Sequence, residues 1–269
     1  MDGTWDITAF KYAERHARTR ADSFIFDDDH AAPHPIFYYI WLLECDGRRI
    51  LIDTGYDIAE GAARDRPVEQ APEEMLRARG IDPASIDTVV LTHLHYDHAG
   101  SLKAFPNAQL WVQEAEMAYA TGPCMCHDAL RMPFTGAHVC DMVRALFAGR
   151  VRFVSGSAAP APGVELHLIG GHSRGLQAVR VRTRRGWVVL ASDASHFYEN
   201  FRAGKPFPIV VDLQDMLDGF ATLRALAESD AHIVPGHDPL VKAAYPALGG
   251  ENVLALHAEP DRGVLGFED

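Results

Sequence analysis

Apolar positions along the chain fall into short β-type runs separated by turn signals, with amphipathic stretches of helical period between them. Phe37–Glu44 and Arg49–Asp53 read as strands, and Asp46-Gly47 between them is a hairpin turn signal. The run Ile36–Leu43 is apolar at nearly every position, as in a strand buried on both faces. After the turn Asp53-Thr54-Gly55, the polar stretch Tyr56–Ala71 predicts a loop or a frayed helix. Pro72–Arg79 then predicts a short helix stopped by Gly80. Thr88–Thr92 and Leu110–Val112 read as strands, and Glu114–Ala120 and Asp141–Ala148 as helices. Thr121–His138 has no clear period and is rich in Gly, Pro, Cys, Met and His, as in a loop over a site.

The second part repeats the theme. Strands are expected at Val151–Val154, Val164–Ile169, Gln177–Arg182, Trp187–Ala191 and Ala231–Val234. Asp212–Glu228 is the clearest helix, with Leu213, Met216, Leu217, Phe220, Leu223 and Leu226 forming an expected core stripe. Periodicity alone gives a layered α/β protein. The similar order of elements in both parts predicts one domain, 1–269, built from halves of about 1–150 and 151–269. Its architecture would be a four-layer αβ/βα sandwich of two mixed sheets with outer helices.

Composition narrows the function classes. The 269 residues are 48% hydrophobic and 23% charged, which is ordinary for a globular chain. The formal net charge of −12 argues against a general nucleic-acid binder. Met1–Arg20 has no apolar core of a secretory signal, and no run approaches a membrane span. Four cysteines are too few for a disulfide scaffold and read as reduced thiols in a cytoplasmic protein, a monomer or homodimer.

The fourteen histidines change the picture by where they sit. His93, His95, Asp97 and His98 directly follow the Thr88–Thr92 strand. In an extended segment His93, His95 and Asp97 share one face while His98 points elsewhere, so the cluster can address two metals. Imidazole and carboxylate are the usual ligands of hydrolytic zinc sites. Three further candidates sit at turns after strands: His172 in Gly170-Gly171-His172, Asp193 after Ser192, and His237 in Pro235-Gly236-His237.

This ordered set resembles the metallo-β-lactamase superfamily, from Asp53-Thr54-Gly55 to His237. The resemblance implies His93, His95 and His172 on one metal, Asp97, His98 and His237 on a second, and Asp193 bridging the pair. It makes Asp53 a residue that orients ligands. Two divalent ions are implied, with Zn²⁺ suited to N and O ligands and Mn²⁺, Fe²⁺ and Co²⁺ compatible. A hydroxide bridging them would attack an ester-type carbonyl, with Asp97 orienting it or moving its proton.

Within the superfamily the chain is similar to the N-acyl homoserine lactonases, through Leu51-Ile52-Asp53-Thr54-Gly55, Thr92–Gly100 and Asp193-Ala194-Ser195-His196. It departs from them at His196, where those enzymes usually carry a Tyr that binds the lactone carbonyl. His196 is therefore expected to donate in its place, with Tyr198 as the alternative. The function implied is opening of a lactone, a small-molecule substrate. The alternatives are hydrolysis of another ester, a thioester or a phosphodiester on the same metals, or a non-catalytic metal-binding protein. Met132 and Phe134 are expected to line an acyl pocket, and Cys124-Met125-Cys126-His127 to be a packed cover loop rather than a third metal site.

Overall fold

The computed structural model describes residues 3–267; positions 1–2 and 268–269 of the expected domain lie outside the described residues. The first sheet begins with β1 (Asp6–Arg15), β2 (Ile36–Cys45), β3 (Arg48–Ile52), β4 (Thr88–Val90), β5 (Gln109–Gln113) and β6 (Val151–Val154). The second holds β7 (Ser157–Ala161), β8 (Val164–Leu168), β9 (Gln177–Thr183), β10 (Gly186–Ser192) and β11 (Ile233–Pro235). A last strand, β12 (Val253–Ala255), returns to the first sheet beside β1. β12, β1, β2 and β3 pair antiparallel, whereas β3, β4, β5 and β6 pair parallel. In the second sheet only β10 and β11 are parallel. Both sheets are mixed, as expected.

The helices are α1 (Ile58–Ala63), α2 (Pro72–Ala78), α3 (Glu114–Ala120), α4 (Asp128–Arg131), α5 (Gly136–Phe147), α6 (Tyr198–Ala203), α7 (Leu213–Leu226) and α8 (Pro239–Ala244). Strand alternation sorts the core into layers. Ile7 and Ala9 of β1 and Tyr39, Trp41 and Leu43 of β2 face Val164, Leu166, Val179 and Val181 of the second sheet. Their neighbours Phe10, Tyr38, Ile40 and Leu42 pack in a second cluster with Met75 and Leu76 of α2, Met117 of α3 and Met142 of α5. Both faces of β2 are therefore buried, which is why its sequence is almost continuously apolar. These layers match the αβ/βα arrangement expected from the sequence.

Several elements differ from expectation: β7, β12, α6 and α8 were not foreseen, and three others depart in detail. β1 was hidden in a stretch that reads as polar, because Thr8 and Lys11 are buried within it. α5 begins at Gly136, earlier than the predicted Asp141. On α7 the buried seam is Met216, Gly219, Phe220 and Leu223, while Leu213 and Leu217 are 38% and 41% exposed. The i, i+3/i+4, i+7 seam fits one sheet face, and the two leucines fall on its flank. Among the described residues no helix is long and apolar enough to cross a membrane.

Candidate metal centre

The strand ends that carry the histidines converge on one edge of the sandwich. Asp53, directly after β3, and Ser192, the last residue of β10, are both non-glycine residues with positive φ, +61° and +46°. Such conformations cost energy and are kept where the surrounding structure fixes them. Thr92, just past β4, donates from its hydroxyl to Asp53 Oδ2 at 2.7 Å and lies 2.8 Å from Ser192 Oγ, tying the strand ends together across the sheets. Gly171 (φ +80°) has no room for a side chain, since a Cβ would stand 2.5 Å from the Met216 amide nitrogen.

Four groups of side chains each place their ligand atoms within 4.8 Å of one another: His93, His95 and His172; Asp97, His98 and His237; His93, His98 and Asp193; His172, Asp193 and His196. The Asp193 carboxylate lies between the first two. Its Oδ2 is 3.2 Å from His172 Nε2 and 3.8 Å from His93 Nε2. Its Oδ1 is 3.1 Å from His98 Nε2 and 3.0 Å from His237 Nε2.

The imidazoles are held from behind. His172 Nδ1 lies 2.7 Å from the Ile209 carbonyl and His237 Nδ1 2.8 Å from the Phe37 carbonyl. Each ring donates there and turns a bare Nε2 into the site. His98 Nδ1 lies 2.8 Å from Asp53 Oδ2, while Asp53 also accepts from the Thr92 amide and hydroxyl, both at 2.7 Å.

Burial, reinforced by neighbouring imidazoles, holds His93 and His95 well below the ordinary histidine pKa, so both rings are neutral. Burial opposes a charge on His98 too, but Asp193, Asp53 and Asp97 outweigh it and raise its pKa. His93 Nε2 and His98 Nε2 are buried without a hydrogen-bond partner. Buried nitrogen atoms left bare beside a carboxylate are what a cation would satisfy, and the donor set of imidazole nitrogens and carboxylate oxygens fits divalent metal.

His196 faces the same cleft. Its Nε2 lies 2.8 Å from Asp193 Oδ2, and its ring stacks on Phe207 at 3.8 Å and 21°. Its Nδ1 is buried without a partner. Burial, only partly offset by Asp193, pushes its pKa down to about 3.

Tyr198 is placed elsewhere, which corrects the expectation that it reaches the substrate. The chain enters α6 at this residue, and its amide donates to Asp238 Oδ2 at 2.8 Å. Its ring is buried in the hydrophobic core, 4.6 Å beneath the Arg202 guanidinium, and borders a separate surface depression.

A cavity of about 250 Å³ opens over Asp97, His95, His172, Asp193, His196 and His237. Met132 lines it, and Phe134 meets the His95 ring edge-on at 4.6 Å. The 121–138 segment thus forms one wall, with the Tyr96 amide donating to the Pro133 carbonyl at 2.9 Å. Cys124 and Cys126 sit in its short 3-10 turn, outside every metal-type cluster found among the described residues.

Two contributors escaped the sequence reading. Buried Glu116 accepts from the Leu94 amide (2.9 Å), Ser173 Oγ (2.7 Å) and the Gly175 amide (2.8 Å), joining the 93–98 loop to the 172–175 loop. A lone Glu in a helix carries no signal for such a task. Segment 16–35, between β1 and β2, supplies another part of the wall, with Arg18, Ala21 and Asp22 lining the cavity. It is pinned through Arg20, which pairs with Asp27 at 2.5 Å and Glu199 at 2.6 Å.

Residues 35–237 match the metallo-beta-lactamase superfamily. The chain is 29% identical over 220 residues to an N-acyl homoserine lactonase of Bacillus cereus, covering 76% of this chain and 81% of that one. It is 30% identical over 177 residues to N-acyl homoserine lactonase AttM of Azorhizobium caulinodans, covering 61% and 62%. Among solved structures, a quorum-quenching N-acyl homoserine lactone lactonase superposes with a TM-score of 0.75 at 24% identity, covering 89% of this chain and 95% of that one. A probable metal-dependent hydrolase from Staphylococcus aureus superposes with a TM-score of 0.74 at 16% identity, covering 97% and 96%. With the family match spanning the strand ends from β2 to His237, the chain belongs to the metallo-beta-lactamase superfamily.

Proposed function

We propose that this chain is a dinuclear metal-dependent hydrolase that opens a lactone ring. The observation that carries the reading is the Asp193 carboxylate, with one oxygen facing His93 and His172 and the other facing His98 and His237. Relatives named as N-acyl homoserine lactonases support the substrate class. His93, His95 and His172 would hold one metal; Asp97, His98 and His237 would hold the other; Asp193 would touch both. Zn²⁺ suits these ligands. When bound, the pair supplies polarisation of an acyl carbonyl and a lowered pKa for water.

The residues of the chain do the rest. Asp97 borders the cavity and lies 3.8 Å from His237 Nε2, placed to take the proton of an attacking water and pass it to the leaving oxygen. The water oxygen bonds to the acyl carbon, the bond between that carbon and the ring oxygen breaks, and the ring oxygen leaves protonated as the alcohol of a hydroxy acid. His196 acts as a positioning residue. With Nε2–H donating to Asp193 Oδ2, its other nitrogen is an acceptor, unlike the hydroxyl of a Tyr. The 121–138 and 16–35 walls restrict water and orient the ring.

The test is a panel on metal-loaded protein with and without chelator: homoserine lactones, p-nitrophenyl esters, thioesters and bis-p-nitrophenyl phosphate. Chelator-sensitive lactone opening is expected. Turnover of thioester or phosphodiester alone would keep the hydrolase and discard the lactone. A non-catalytic metal-binding protein would turn over none of them.

A further inference from the structure

We propose that the substrate carries an anionic group, a carboxylate, held by a wall of three arginines beside the metal centre. Arg15, Arg18 and Arg66 line the same cavity of about 250 Å³ as His172 and Asp193. This deepens the hydrolase reading and rests on it.

Three guanidinium groups on one cleft are not background in a chain of net charge −12. Other arginines nearby are neutralised: Arg20 by Asp27 and Glu199, and Arg64 by Glu60. The three of the wall are not. Arg15 makes no side-chain hydrogen bond or ion pair among the described residues. Arg18 donates only to the Asp22 backbone carbonyl, at 2.7 Å, and Arg66 only to the Tyr96 hydroxyl. Arg18 Nη1 and Arg66 Nε are buried with no partner.

An unmet buried donor costs free energy, more so when charged, and an incoming anion removes that cost. Burial, joined by the like charges of Arg15 and Arg66, outweighs the pull of Tyr38 and Asp22 and presses the Arg18 pKa down, so the three charges feel one another. Among the described residues no carboxylate bordering the cavity forms an ion pair with them, and Asp22 and Asp97 pull on Arg18 and Arg66 only from a distance. Asp97 and Asp193 belong to the metal groups. Asp22 Oδ2 accepts from the Thr19 amide at 2.9 Å. With two divalent ions bound, the cleft would be strongly positive. A carboxylate matches the guanidinium fork, whereas an uncharged acyl lactone offers these donors little.

The rest of the substrate has a place as well. An adjoining groove of about 560 Å³ shares Met132, Pro133, Pro208 and Ile209 with the cavity and continues along Leu130 and Val211. Apolar substituents fit there, where no arginine lines the groove.

The test compares two lactones of one ring on the metal-loaded full chain: γ-butyrolactone bearing a carboxylate beside the ring oxygen, and the same ring bearing a carboxamide. The carboxylate form is expected to have a kcat/KM at least about tenfold higher, and that ratio is expected to collapse toward one in Arg18→Gln and Arg66→Gln. Arg15→Gln, which removes a guanidinium with no hydrogen bond to lose, gives the same readout without risk to folding. Calorimetry with glutarate supplies a second readout: binding to the wild type that weakens about tenfold or more in Arg18→Gln supports the wall. A carboxamide turned over as well as the carboxylate, or a ratio unchanged in all three variants, overturns the inference and leaves the hydrolase standing. If no lactone is opened, the lactone reading fails, and glutarate alone decides the wall: equal binding by wild type and variants, or none, overturns it.

Discussion

His196 Nε2 lies 2.8 Å from Asp193 Oδ2, the same oxygen that faces His172 at 3.2 Å and His93 at 3.8 Å. This imidazole is thus committed to the carboxylate between the two histidine groups. His196→Ala is expected to keep the metals and lower kcat roughly tenfold to a hundredfold, as loss of a residue behind a ligand does. KM should change far less. Metal analysis beside steady-state kinetics checks this, and His196→Gln, which retains a donor, should recover part of kcat. An unaltered kcat in the alanine variant would remove His196 from the mechanism.

His95→Ala should lower metal content and turnover together, because His95 Nδ1 and His172 Nε2, 2.9 Å apart, belong to one group. The metal-loaded wild type should also melt above its chelated form, since a ligand bound only by the folded state stabilises it. Turnover that survives loss of the metal would refute the mechanism.

Asp53→Asn should weaken metal binding about 10–100-fold without unfolding the protein. Asp53 uses both oxygens, on the Thr92 amide and hydroxyl and on His98 Nδ1. An amide nitrogen facing His98 would favour the tautomer with its proton on Nε2, the atom needed for the metal. Competition with a chromogenic chelator reads the change.

Gly175→Ala should destabilise the fold by about 3 kcal/mol or more, the upper range for forced overpacking. Its Cβ would stand 2.2 Å from the Glu116 amide nitrogen, and backbone there cannot swing aside. Denaturant melts of the two proteins measure the difference. A shift of only a few tenths would show that the 93–98 and 172–175 loops are not locked together through Glu116.

Acid should loosen the 16–35 wall. Burial, then the charges of Arg20 and Arg18, push the His34 pKa from 6.5 down to about 4. Its ring packs on Phe197 at 4.3 Å, next to His196. A histidine with a depressed folded pKa stabilises fully above its unfolded value, and that stability is lost as pH falls from 6.5 toward 4. His34→Gln should flatten the pH dependence of stability in that window. Melting curves across it decide, and parallel curves for the two proteins would exclude His34 as the cause.

Much of the architecture was legible along the chain. The hairpin at Asp46-Gly47 has both residues at positive φ, as its turn chemistry demands, and α3 occupies the predicted Glu114–Ala120. The ordered His and Asp positions after strands were visible because few side chains can serve as metal ligands, and each must sit where a strand releases the chain. The structure brings their ligand atoms within 4.8 Å of one another in groups.

What the sequence by itself determined, then, is the run of strands and helices and the identity of the candidate ligands, because both depend on local period and side-chain chemistry. Only the tertiary structure decided partnership. It put β6 and β12 in the first sheet and turned Tyr198 away from the cleft. It also drew Glu116, Arg15, Arg18 and Arg66 up to the site from segments with no motif. The reason is physical: strand pairing and burial are settled by residues tens to hundreds of positions apart. A buried Thr8 or Lys11 in β1 looks like surface until its neighbours Leu42 and Tyr39 of β2 are in place.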